Sequence, residues 1–151
     1  MMSPSGFPHG ALTATLAQLL ANHVKPNKLG TVYGAETGFF IQRDPDTVRA
    51  PDVAFVRADR LKNLPKRGFF PAAPDLAVEV LSPDDSAGEV LHKVQQWLDA
   101  GTISVWIVDP ERERFVVYRK DQPTRVLEKS DDVTDEQLLP GLRLKLSEVF
   151  S

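Results

Sequence analysis

The spacing of apolar residues changes several times along the chain, and each change predicts an element. Leu12, Leu16, Leu19 and Leu20, followed by His23 and Val24, recur at helical spacing, so a segment from about Gly10 to Val24 is predicted as an amphipathic helix ended by Pro26. In "TVYGAETGFFIQ", Val32, Tyr33, Phe39, Phe40 and Ile41 surround Gly34 and Gly38, a pattern for strand material with a bend or hairpin. "RDPDTVRAPD" supplies turn residues, and "DVAFV" is a short apolar strand. A basic, proline-containing connection then leads to the strand "DLAVEVL". "SPDDSAG" offers helix-start residues, and Val90, Leu91, Val94, Trp97 and Leu98 define one face of a second helix that stops near Gly101. "ISVWIVDP" reads as a buried strand, and "RFVVYR" and "TRVLEK" as a pair of more exposed ones. "PGLRLKLSEVF" alternates Leu142, Leu144 and Leu146 before a short terminal turn. The order helix, three strands, helix, strand predicts an α/β (α+β) fold: a mixed sheet flanked by helices, with a C-terminal β extension. Its last strand–helix–strand step suits a parallel crossover.

Composition bounds this picture. A chain of 151 residues, 42% of them hydrophobic, is expected to bury one core, so residues 1–151 are read as one domain. The absence of cysteine excludes disulfides, thiolate metal sites and a cysteine nucleophile, in keeping with a reducing compartment. "MMSPSGFPHG" has no basic segment followed by an apolar core, and no apolar run is long enough to span a bilayer. The expectation is a cytoplasmic protein with no membrane partner. A formal net charge of −3 provides no global attraction for a polyanion. Local charge differs: Arg57, Arg60, Lys62, Lys66 and Arg67 face only Asp59 within their stretch, whereas Asp131, Asp132, Asp135 and Glu136 form an acidic run. Both stretches read first as solvated loops, and the basic one is also the candidate surface for a phosphate backbone.

Candidate chemistry centres on Glu79. An ionised carboxylate in an apolar strand needs a metal, a cation or good hydrogen bonds to offset lost hydration. Strand alternation puts Leu76, Val78 and Val80 on one face, and Asp75, Ala77, Glu79 and Leu81 on the other. If "DVAFV" is the neighbouring strand, Asp52 can join Glu79 in an oxygen-rich site suited to Mg²⁺ or Mn²⁺. The alternative is a strand-end Glu paired with an arginine, with Asp52 and Asp75 as turn residues following prolines. On the second helix, Lys93 flanks the apolar face beside Val90 and Trp97 and can bring its ammonium to the sheet, while His92 points away. Two acids and a lysine behind a mixed sheet suit metal-assisted phosphodiester hydrolysis. His9, His23 and His92 have no zinc-site spacing and read as capping, core or surface residues. Trp97 and Trp106 read as core. No glycine-rich phosphate loop, serine elbow or nucleotide fingerprint is present.

Several ordered segments, "SPSGFPHG", "DPDTVRAPDVAFVRADR", "APDLAVEVLSPDD", "KVQQWLDAG", "VWIVDPERERFVVYR" and "LLPGLRLKLSEVF", cover nearly the whole chain. Together they resemble the Uma-type (Uma-two) restriction-endonuclease-like family of the PD-(D/E)XK nuclease superfamily. The resemblance implies an αβββαβ nuclease core, a divalent-metal site binding Mg²⁺ or Mn²⁺, DNA as substrate and homodimer formation in many members. Asp52 then matches the first metal-binding acid and Glu79 the acid of the E-x-K motif. Leu81 stands where that motif has lysine, and Lys93, on the following helix, is the matching position. Glu36 and Asp75 are possible supporting acids. Two competing functions remain from the sequence: a catalytically inactive nuclease-fold binding or assembly domain, and a metal-free carboxylate-pair hydrolase such as a glycosidase.

Overall fold

The computed structural model describes residue 4 and residues 6–151. Residues 1–3 and 5, part of the N-terminal stretch expected to lack a leader, lie outside the described residues. Helix α1 (Phe7–Val24) starts before its leucine periodicity does, because Pro8 falls in the first turn, where a missing N–H breaks no helical hydrogen bond. Leu12, Leu16, Leu20 and Val24 form its buried stripe. Strand β1 (Gly30–Tyr33) follows. The glycine-flanked bend then separates β1 from a small hairpin of β2 (Phe39–Gln42) and β3 (Thr47–Arg49), which pair only with each other as named strands.

Next come β4 (Val53–Arg57), β5 (Leu76–Val80), α2 (Ala87–Asp99), β6 (Ser104–Asp109), β7 (Arg114–Arg119) and β8 (Arg125–Glu128). The main sheet has six strands in the order β1-β4-β5-β6-β7-β8. Within it, β5 and β6 run parallel, joined through α2, and every other neighbouring pair is antiparallel. With α1 before and α2 between, the elements contributing to the sheet follow αβββαβ order, extended by β7 and β8. A second hairpin, β9 (Asp132–Asp135) with β10 (Leu139–Lys145), and the short α3 (Leu146–Val149) complete the described fold.

Alternation along the central strands splits the core into two layers. Val53, Phe55, Leu76, Val78, Val80 and Trp106 pack towards α1 and the C-terminal hairpin. Ala54, Val56, Ala77, Val105 and Ile107 pack towards α2 and the residues Phe39 and Phe70. Small alanines on the second face let α2 approach with Val94, Trp97 and Leu98. Both tryptophans are buried as expected.

Three sequence expectations change. The acidic run is no solvated loop: Asp132–Asp135 is a strand, and Asp135 is buried against the Arg119 guanidinium from β7. Leu91, assigned to the apolar face of α2, is 54% exposed, because that helix contacts the sheet through the Val94–Trp97–Leu98 side. Thr47–Arg49, inside the stretch read as turn residues, forms strand β3 against β2. Among the described residues no helix is long and apolar enough to cross a membrane.

Candidate active site

The β4–β5 register pairs Ala54 with Ala77 and Val53 with Val78. One step further along that register, Asp52 stands across from Glu79 at the end of both strands. Backbone polar groups hold Asp52: its N–H donates to the Val78 carbonyl at 3.0 Å, and its Oδ2 accepts the Val80 N–H at 2.8 Å. Val78 and Val80 are packed into the α1 layer, so Glu79, like Ala77, points to the α2 side. It is half-buried there. Lys93 is exposed on α2 and borders the same cleft, of about 420 Å³, which Asp52, Glu79 and His9 also line. Ser86 caps α2 by accepting the Glu89 N–H at 3.2 Å, and Asp85 braces the loop before it by accepting the Ser82 N–H at 2.8 Å. These caps fix where α2 begins, and with it the height of Lys93 over the sheet.

Burial pushes the Glu79 carboxyl from 4.5 up to about 7, with the Asp52 charge acting in the same direction. The Lys93 charge, the Trp97 indole and the Asp52 backbone N–H oppose that rise. Two facing carboxylates, one of them reluctant to ionise, are a donor set that a divalent cation relieves by replacing the proton. Mg²⁺ is ordinarily held by one or two carboxylates plus waters and substrate phosphates rather than by a closed protein cage. Among the described residues no group of three or more His, Cys, Asp or Glu converges in metal-holding geometry. The residues present therefore fit an open, two-carboxylate site with hard oxygen donors, Asp52 and Glu79.

Other candidates fall elsewhere. Asp75 lies at the opposite end of β5, buried, where it accepts the Arg57 N–H at 2.8 Å and pairs with Arg60 at 3.0 Å. It braces the sheet away from the cleft. Glu36 occupies an exposed turn between β1 and β2 with φ of 66° and does not line the cleft. Within the basic stretch, Arg57 pairs with Asp59 at 2.9 Å, and Arg60 is committed to Asp75 and to the Ala73 carbonyl. Lys62, Lys66 and Arg67 are exposed. His92 faces solvent, as its helical projection predicts. The residue that sequence reasoning missed is His9, whose Nε2 lies 3.4 Å from Asp52 Oδ2 with only 14% of its side chain exposed. It lies in the segment "SPSGFPHG", but spacing could not pair it with Asp52, because that partner is brought up by the fold.

Residues 1–147 match the family model Uma2, described as "Putative restriction endonuclease". The chain is also similar to a solved structure from Anabaena variabilis, described as a "putative nuclease belonging to DUF820", at 27% identity and a TM-score of 0.83. That match covers 99% of this chain and 83% of the other. No curated protein matches the chain.

Proposed function

Because the chain belongs to the Uma2 family, we propose that it is a Mg²⁺- or Mn²⁺-dependent DNA endonuclease of the PD-(D/E)XK type. The observation that carries this reading is the convergence of three side chains from separate elements, Asp52, Glu79 and Lys93, on one cleft. Asp52 and Glu79 would hold the cation. When bound, the cation supplies Lewis-acid charge and water activation for phosphodiester hydrolysis. Asp52 is presented in a fixed orientation by the Val80 N–H, so little ordering remains to be done when the substrate arrives. Lys93, on its flexible stem, offers its ammonium to the charge that develops on the phosphoryl group or orients the attacking water. The half-buried setting of Glu79 strengthens each of these interactions relative to bulk water.

The test is plasmid nicking by purified protein with Mg²⁺, Mn²⁺ or EDTA, beside Glu79→Gln and Lys93→Ala. Metal-dependent nicking is expected, falling about a hundredfold or more in each variant, the scale of losing one charge-stabilising group. Calorimetric titration separates the two roles: Lys93→Ala should still bind Mn²⁺, and Glu79→Gln should bind it more weakly. Nicking that survives EDTA or both substitutions rejects the reading. One observation favours the second reading, a nuclease-fold binding or assembly protein without turnover: Leu81 occupies the E-x-K lysine place. That reading gains if no DNA form is cut while DNA or partner binding persists.

A further inference from the structure

Phe69 is an exposed aromatic on a built seat. It is 51% exposed, yet the backbone beside it is fastened to β2: the Phe70 N–H donates to the Gly38 carbonyl at 2.9 Å, and the Phe40 N–H donates to the Phe70 carbonyl at 3.0 Å. Its ring lies over Gly38 so closely that a Cβ at that position would come within 2.5 Å of Phe69 Cδ1. A side chain at that position would push the ring aside. Phe40 meets Phe69 edge-on, with centroids 5.7 Å apart and planes at 74°. The Arg43 guanidinium sits 3.5 Å from the centre of the Phe40 ring. Close in sequence to Phe69, Lys62, Lys66 and Arg67 are exposed and take part in none of the ion pairs among the described residues.

This surface connects to the cleft. Val48 on β3 pairs with Phe40, and its Cγ1 also borders Gly38. From Val48 to Asp52 the chain can span at most roughly 14 Å even when fully extended. Arg49 Nε donates to Gln96 Oε1 at 3.2 Å, tying the β2–β3 hairpin to α2 beside the turn that bears Lys93. A lone exposed Phe is ordinary. A seated ring next to an arginine-bearing ring, in a segment that also carries three exposed cations outside the ion pairs, is the combination that binds unpaired nucleotides: aromatic faces for bases and positive charge for phosphates. A duplex hides its base faces and cannot use the rings.

We propose that Phe69, Phe40 and Arg43, with Lys62, Lys66 and Arg67, form a stacking platform for a single-stranded DNA segment that leads into the Asp52–Glu79 cleft. The proposal deepens the nuclease reading and rests on it for the connection to that cleft. Binding is measured by fluorescence anisotropy in EDTA, so no hydrolysis enters, using labelled oligothymidylate, an abasic strand of the same length and a blunt hairpin duplex. Wild type should bind oligothymidylate about tenfold or more tightly than the abasic strand, as expected from losing base stacking. Phe69→Ala should lose that advantage while its affinity for the abasic strand and the duplex stays the same, and Phe69→Trp should restore it. Equal affinity of wild type for the two strands, an unchanged preference in Phe69→Ala, or no binding of oligothymidylate overturns the proposal. The abasic comparison uses wild type alone, so it does not depend on a variant folding. Stacking without nicking would fail only the hydrolytic reading, and nicking without base preference would fail only the platform.

Discussion

Glu79 sets the residue scale, because the cost of its position appears as a pH dependence. The folded carboxyl ionises near 7 and the unfolded one near 4.5. Between those values the folded chain holds a proton that the unfolded chain has released. Stability from this group is therefore fully present below about pH 4.5 and lost as pH rises through about 7, by up to roughly 3 kcal/mol. In EDTA, Glu79→Gln should thus gain on wild type between pH 5 and pH 8 in urea titrations, and a gap that stays constant would refute the assignment. The sequence made Glu79 legible through strand alternation and Lys93 through helical projection, since both periods are local. His9 was not legible, because its approach to Asp52 at 3.4 Å depends on how α1 crosses the end of the sheet.

At the scale of elements, α2 shows what local chemistry specifies. Ser86 and Glu89 have capping-box spacing, and the Ser86 Oγ accepts the Glu89 N–H. Ser86→Ala should cost about 1 kcal/mol, read as a lower midpoint in urea with an unchanged slope. The end of the helix before Gly101, with φ of 107°, was equally readable. The β2–β3 hairpin was harder, since its composition suits a main-sheet strand. Only the pairing of Phe39 with Arg49 and the bridge to Phe70 show that it forms a separate flap. In β9, charge concealed the strand: Asp135 is buried only because an arginine from another strand reaches it.

For the molecule as a whole, the Arg119–Asp135 pair is a joint between the six-stranded sheet and the C-terminal hairpin. Asp135 also accepts the Leu138 N–H at 3.0 Å, and both side chains of the pair are largely withdrawn from water. Asp135→Ala leaves Arg119 without its partner, and a loss of about 3 kcal/mol in urea unfolding is expected. A change below 1 kcal/mol would mean that the hairpin is held by its leucines alone. The αβββαβ order was legible because helical and strand periods alternate clearly along the chain. The attachment of the hairpin was not, because it is decided by a long-range ion pair and by Leu142, Leu144 and Leu146 entering the α1 layer.

If the proposed metal site holds, the hydrogen bond from Val80 N–H to Asp52 Oδ2 also makes the backbone a gauge of the cleft. That amide ends in a carboxylate instead of a neighbouring strand's carbonyl. Electron density drawn towards an arriving ion is withdrawn from the oxygen that the proton leans on. In a nitrogen–proton correlation spectrum, the Val80 signal should therefore move upon Mg²⁺ addition while the amides of Phe55 and Trp106, deep in the sheet, keep their positions. A resonance that reads occupancy directly would time the loading of the site without any substrate being cut.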